Sequence, residues 1–127
     1  MTDEDAIRQT IAQYCHFLDD GRFAEWAELY TEDATFSVLG QTYVGRDNVR
    51  AFIEQAQGPD ARGKHLCANT VIELQGDEAR AWTDYFFVDR NRAITSAGRY
   101  HDRLVRQGDH WRFASRRIVF LGDEPQA

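Results

Sequence analysis

The feature that most restricts this chain is a change of period near its middle. Up to Ala56 apolar residues mostly return at three- and four-residue steps, and from Lys64 onward they alternate with a step of two. The first rhythm gives one-sided helices and the second gives strands. Helices gathered ahead of a run of hairpin-linked strands predict an α+β domain, with the helices on one face of a curved, mostly antiparallel sheet.

The individual segments follow from the same rule. Thr2 and Asp5 mark a helix start, and Ile7, Ile11, Tyr14 and Leu18 line one face until Asp19-Asp20-Gly21 stops the run. A second helix carries Phe23, Trp26, Ala27 and Tyr30 on one side before Thr31-Glu32-Asp33 interrupts it. Ala34 to Leu39 reads as a strand, Gly40 turns the chain, and Gln41 to Val44 returns. Gly45-Arg46-Asp47 opens a third helix with Val49, Phe52, Ile53 and Ala56 inward. After a loop over Gln57 to Gly63, strands are predicted at Lys64–Gln75, Glu78–Arg92, Ala97–Arg106 and Trp111–Leu121. In the first of these, Leu66, Ala68, Thr70, Ile72 and Leu74 oppose His65, Cys67, Asn69 and Val71, so apolar residues fall on both faces. Helices cover only one face, so the other is expected to meet further copies of the chain in a dimer or trimer.

At 127 residues the chain supports one hydrophobic core, expected over 1–122, with 123–127 as a flexible tail. A net charge of -6 argues against DNA or RNA, whose binding draws on phosphate neutralisation by Lys and Arg. No apolar run approaches the roughly 20 residues that cross a bilayer. Met1-Thr2-Asp3-Glu4-Asp5 lacks the basic start of a signal peptide, and Cys15 and Cys67 read as packed free thiols, so a cytoplasmic protein is expected.

The polar residues on the His65, Cys67, Asn69 face stand between apolar neighbours, where each needs a partner or a use. Ile11, Cys15 and Asp19 share a helix face at four-residue steps, which brings Asp19 to the helix end beside its buried side. Asp19, with Asp20 as its rival, and His65 are the pair singled out. A carboxylate that holds one ring nitrogen of an imidazole fixes its tautomer and frees the other nitrogen to take a proton near neutral pH. The plainer alternative is a helix-ending acid and a hydrogen-bonded strand histidine. Tyr14 is a candidate hydrogen-bond donor or a core tyrosine. Arg116 and Arg117 point to opposite faces, so one of them turns inward, toward a substrate anion or toward Asp84 or Asp102. His65 and Cys67 have no third and fourth ligand at a metal-site spacing, and there is no phosphate loop, nucleophile elbow or dinucleotide fingerprint.

Several stretches carry a resemblance. Tyr14-Cys-His-Phe-Leu-Asp19-Asp-Gly-Arg-Phe23, Trp26-Ala-Glu-Leu-Tyr30-Thr-Glu-Asp-Ala-Thr-Phe36, Tyr43-Val-Gly45, His65-Leu-Cys-Ala-Asn69, Gly98-Arg-Tyr100-His-Asp-Arg-Leu104 and Trp111-Arg-Phe-Ala-Ser-Arg116 resemble the SnoaL-like, nuclear transport factor 2-like superfamily over nearly the whole chain. The chain is most similar to the branch with scytalone dehydratase, bile-acid 7α-dehydratase and hexachlorocyclohexane dehydrochlorinase. That resemblance implies a conical barrel around one pocket and a cofactor-free Asp–His dyad. The dyad acid matches Asp19 and its histidine His65; Tyr14 and Arg116 match pocket residues, and Tyr100 an aromatic wall residue. Gly63 stands where the dehydrochlorinase has a pocket cysteine, so dehalogenation is not implied.

The expected function is a dehydratase-like elimination or an isomerisation on a small apolar hydroxylated or carbonyl compound, with no cofactor. His65 would remove the proton, Asp19 orient it, Tyr14 hold the leaving oxygen and Arg116 stabilise negative charge, with Tyr43, Asn69, Phe86 and Tyr100 as pocket walls. One rival is the non-catalytic small (beta) subunit of a ring-hydroxylating dioxygenase, ranked second because such subunits usually carry a longer N-terminal segment. The other is a binding protein without turnover.

Overall fold

The computed structural model describes residues 1–123, so most of the expected tail, 124–127, lies outside the described residues. Helix α1 spans Asp3–Asp19, α2 Phe23–Ala27 and α3 Arg46–Ala56. Strands are β1 Tyr30–Val38, β2 Gln41–Val44, β3 Lys64–Gln75, β4 Glu78–Val88, β5 Ile94–Gln107 and β6 His110–Phe120. They form one open sheet in the order β2-β1-β6-β5-β4-β3, antiparallel except for the β1–β6 pair. This is the expected α+β cone, with the sheet curled against the helices but not closed into a barrel.

Helix α1 starts where Thr2 Oγ1 accepts the Asp5 backbone N–H at 3.1 Å, and Asp3, Glu4 and Asp5 face the positive end of the helix dipole. Its buried stripe is Ile7, Thr10, Ile11, Tyr14, Cys15 and Leu18. Gly21 ends it in the left-handed region, at φ 71°, while the Arg22 N–H reaches back to the Phe17 carbonyl at 2.8 Å. This C-terminal turn stops the helix with Asp19 still against β3. The core between the helices and the sheet is aromatic. Tyr14 lies 5.3 Å from Trp26 and 5.8 Å from Phe113, centroid to centroid, and Tyr30 lies 5.0 Å from Trp26.

Three expectations about the elements change. Tyr30 does not close the second helix; it opens β1, whose parallel pairing with β6 begins at Tyr30 opposite Phe113, so Thr31-Glu32-Asp33 is strand rather than breaker. β4 ends at Val88 instead of Arg92, because the Asp89 carboxylate accepts the N–H groups of Asn91 and Ala93 and folds 89–93 into a turn. β5 accordingly starts at Ile94 rather than Ala97.

A further change alters which residues share a face. In β3 the register with β4 slips between Ala68 and Val71, and Asn69 sits at φ 57°, a bulge that Asn tolerates better than most residues. Alternation therefore restarts after it. His65 and Cys67 point inward, as do Thr70 and Ile72, while Leu66, Ala68 and Val71 point outward. Ile72 packs on the core and cannot meet a partner. The outer face carries apolar Leu66, Val71 and Phe86 beside charged Arg80, Asp84, Arg99 and Arg103, and is mixed rather than apolar.

Candidate functional site

The end of α1 and the start of β3 meet at one side of the cone. Gly63 allows that approach: a Cβ there would lie 2.1 Å from the Val88 carbonyl oxygen, so only glycine lets the start of β3 run this close to the end of β4. Two residues on, Asp19 clasps His65 twice. Its Oδ2 accepts the His65 backbone N–H at 3.0 Å and its Oδ1 meets ring Nδ1 at 2.6 Å. Both side chains are buried, 5% and 9% exposed respectively. An ionised carboxylate only accepts, so beside one a neutral imidazole carries its proton on Nδ1 and keeps the lone pair on Nε2. Asp20, the rival acid, is exposed.

His65 lines a cavity of about 230 Å³ with Tyr14, Leu18, Phe36, Phe52, Phe87, Tyr100 and Ile118 among its walls. The Phe87 ring rests 4.8 Å from the imidazole. Few polar groups interrupt this lining. Tyr85 and Ser96 share a hydroxyl hydrogen bond at 2.9 Å, and the Tyr85 ring stacks on Tyr100 at 4.5 Å. Gln57 lines the cavity too, and its Oε1 is buried with no hydrogen-bond partner. Burial pushes the Tyr14 phenol up to about 12, against a downward pull from Arg116, so Tyr14 is a neutral donor at ordinary pH. Burial also raises the phenols of Tyr85 and Tyr100.

The remaining expected residues divide. Tyr100 is on the cavity wall. Arg116 does turn inward, but behind that wall: its guanidinium donates to both oxygens of Asp102, at 2.7 and 2.8 Å, and lies 3.8 Å from the Tyr100 centroid and 4.3 Å from that of Tyr14. Its partner is a carboxylate, not the cavity. Burial opposes its charge, yet Asp102 holds Arg116 protonated well above its ordinary range; burial lifts the Asp102 carboxyl while Arg116 pulls it back toward ionisation. Arg117 projects to the other face, beside His101.

Three assigned wall residues do not line the cavity. Asn69 is exposed on the bulge and donates to Asp84 at 3.1 Å. Phe86 is 38% exposed on the outer face, because β4 points Tyr85 and Phe87 inward. Tyr43 stacks on Phe52 at 4.1 Å and is not itself on the cavity wall. The wall residues missed include apolar Leu18, Phe36, Phe52 and Ile118 and, among those that carry polar groups or flank His65, Gln57, Tyr85, Phe87 and Ser96. Inward Ala79, Ala81 and Thr83 set the parity that reaches Tyr85 and Phe87, so counting in twos from the Gly76-Asp77 turn was the available signal. Among the described residues no group of three or more His, Cys, Asp or Glu is placed to hold a metal.

A helix-capped cone whose apolar cavity holds one buried carboxylate–imidazole pair defines a class of small pocket proteins built on the nuclear transport factor 2-like fold. Within that class, the model of the SnoaL-like domain matches residues 1–117, and the chain belongs to this family. The anthranilate 1,2-dioxygenase small subunit of Burkholderia cepacia is 23% identical over 129 aligned positions, covering 85% of this chain and 80% of that one. A variant of Rv3472 from Mycobacterium tuberculosis, a protein of unknown function, is 30% identical with a TM-score of 0.84, covering 91% of this chain and 69% of its own. A candidate scytalone dehydratase from Novosphingobium aromaticivorans superposes with a TM-score of 0.84 at 23% identity, covering 98% and 89%, a likeness of fold.

Proposed function

We propose that this protein is a cofactor-free lyase or isomerase acting on a small, largely apolar molecule with an acidic C–H next to a carbonyl or a leaving hydroxyl. The observation that carries the reading is the 2.6 Å contact between Asp19 and His65 Nδ1 at the wall of an apolar cavity. Nε2 takes the proton from carbon. Asp19 holds the tautomer and stabilises the imidazolium that forms. Tyr14, neutral and buried, donates to the oxygen that gains charge, and Tyr85 with Ser96 offers a second hydroxyl contact on the same wall. Arg116 acts from behind, by fixing the Tyr14 and Tyr100 rings.

The test is hydrogen exchange at carbon. A panel of small cyclic hydroxyketones incubated in heavy water with the protein should take up deuterium at the acidic position, and His65→Ala should lose that uptake. Exchange that persists in His65→Ala, in a folded variant, overturns the assignment.

A second reading has its own support in the likeness to a dioxygenase small subunit. In it the chain braces a larger oxygenase subunit and the dyad is structural; stable co-purification with such a subunit, with no exchange activity in the complex, would favour it. We also propose a homodimer or homotrimer through the outer sheet face, now around Leu66, Val71 and Phe86, which are 45%, 57% and 38% exposed. A sedimenting mass near 14.7 kDa at micromolar concentration would overturn that.

A further inference from the structure

Two groups at this end of the cone take no part in the proposed chemistry. Cys15 lies four residues before Asp19 on α1, and Cys67 lies two after His65 on the same face of β3, so the cysteines bridge the two elements that the dyad bridges. Their sulfurs are 3.4 Å apart. A disulfide holds its sulfurs about 2.05 Å apart, so closure asks for an approach of roughly 1.4 Å. Cys15 is buried and Cys67 half-buried, which leaves Cys67 as the sulfur that a small solute meets first. The electrostatics agree with that order. The contact between the two sulfurs lowers the Cys67 thiol below its ordinary value, against burial and with help from Arg116, while the same contact and burial push Cys15 up.

We propose that Cys15 and Cys67 form a redox-modifiable dithiol, closed to an intramolecular disulfide by a small hydroperoxide, and that closure moves the Asp19–His65 hydrogen bond. The second half rests on the dyad reading and the first does not. In the first step the Cys67 thiolate attacks one peroxide oxygen; an S–O bond forms, the O–O bond breaks, and hydroxide leaves to be protonated as water. Cys15 then loses its proton and attacks the Cys67 sulfur. The S–S bond forms, the S–O bond breaks, and the second oxygen departs as water with the proton Cys15 gave up. Two thiols and one hydrogen peroxide become one disulfide and two waters, the sulfurs having given two electrons to the peroxide oxygens. A dithiol reductant reverses the closure.

Tethering α1 to β3 at this point shifts the helix end that carries Asp19 against the strand that carries His65. The experiment treats the intact chain with hydrogen peroxide, alkylates remaining thiols after denaturation, and reads intact mass together with the His65 ring resonances. The expected result is loss of two hydrogens, no alkylation, a peptide cross-link between Cys15 and Cys67, reversal by dithiothreitol, and movement of the His65 resonances. In Cys67→Ser the cross-link is lost and the resonances stay put on oxidation. Recovery of both thiols, of sulfinic acid, or of cross-linked dimers in the wild-type chain overturns the dithiol. A disulfide that leaves His65 unmoved overturns the coupling. Absence of turnover in the exchange assay, with the cross-link formed, counts against the proposed function alone.

Discussion

Two buried carboxylates in this molecule each hold a nitrogen base from another element, and their surroundings differ. Asp19 grips His65 where α1 meets β3, and the imidazole lines a cavity of about 230 Å³. Asp102 grips Arg116 across β5 and β6 with two parallel hydrogen bonds, both side chains fully buried and boxed in by Tyr14, Tyr100 and Phe113. The arginine is charged at every accessible pH and its side chain is wholly buried beside those rings. An imidazole can exchange a proton where a guanidinium cannot, and His65 lines space that a ligand can fill. One kind of contact therefore makes two different things: an anchor where the base cannot change charge, and a candidate for proton transfer where it can.

The sharpest way to break this contrast is to remove the anchor. Arg116→Ala leaves Asp102 buried without its partner, and denaturant unfolding should register a loss of about 3–5 kcal/mol, whereas replacing both Arg116 and Asp102 by leucine should recover much of it. His65→Ala should do the reverse: a drop of roughly 10²–10⁴-fold in exchange at carbon, with a much smaller change in unfolding, because Asp19 keeps the backbone N–H of residue 65. Equal stability losses in the two variants would erase the distinction. Asp19→Asn should lower the rate less than His65→Ala does, since an amide still accepts from Nδ1–H but cannot stabilise an imidazolium.

The remaining predictions are smaller. On the outer face, His101 is held below its ordinary 6.5, first by burial and then by Arg117 and Arg99, with Asp102 opposing. A depressed histidine means that the unfolded chain takes up the proton first as pH falls below 6.5. Stability should therefore be full above that pH, decline below it, and level off once the folded protein is protonated as well. Comparing urea midpoints at neutral and mildly acidic pH in wild type and His101→Gln checks this; an unchanged slope in the variant assigns the effect elsewhere. Asp20→Asn should alter neither rate nor midpoint measurably, because Asp20 is exposed and makes no side-chain contact with His65.

The same contrast explains what could be read from residue order. Periodicity located the helices and most strand limits because a buried stripe is a local pattern, and the family likeness pointed to Asp19 and His65 together. The partner of Arg116 was left open between a substrate anion and a carboxylate because a neighbour fourteen residues back is selected by sheet register, which no local pattern encodes. Asn69 was misplaced for a related reason. A bulge adds one residue to the count, and every side chain beyond it changes face. Phe86 and Phe87 are the same problem at its smallest, since two adjacent aromatics leave parity undecided by themselves and only the count from the Gly76-Asp77 turn settles it.

The place of β6 in the sheet has a consequence for how the chain is made. Among the described residues it is the last strand, yet it lies between β1 and β5, and it alone of these strands joins the β1–β2 hairpin to the rest of the sheet. A ribosome that has released the chain only up to Gln107 holds two pieces of sheet joined through the helices alone, whose shared strand seam waits for His110–Phe120. Contacts this distant in sequence form late. Until they do, the aromatic side of the early helices stays open to solvent and to neighbouring chains, and the partly made domain is most prone to association before β6 emerges.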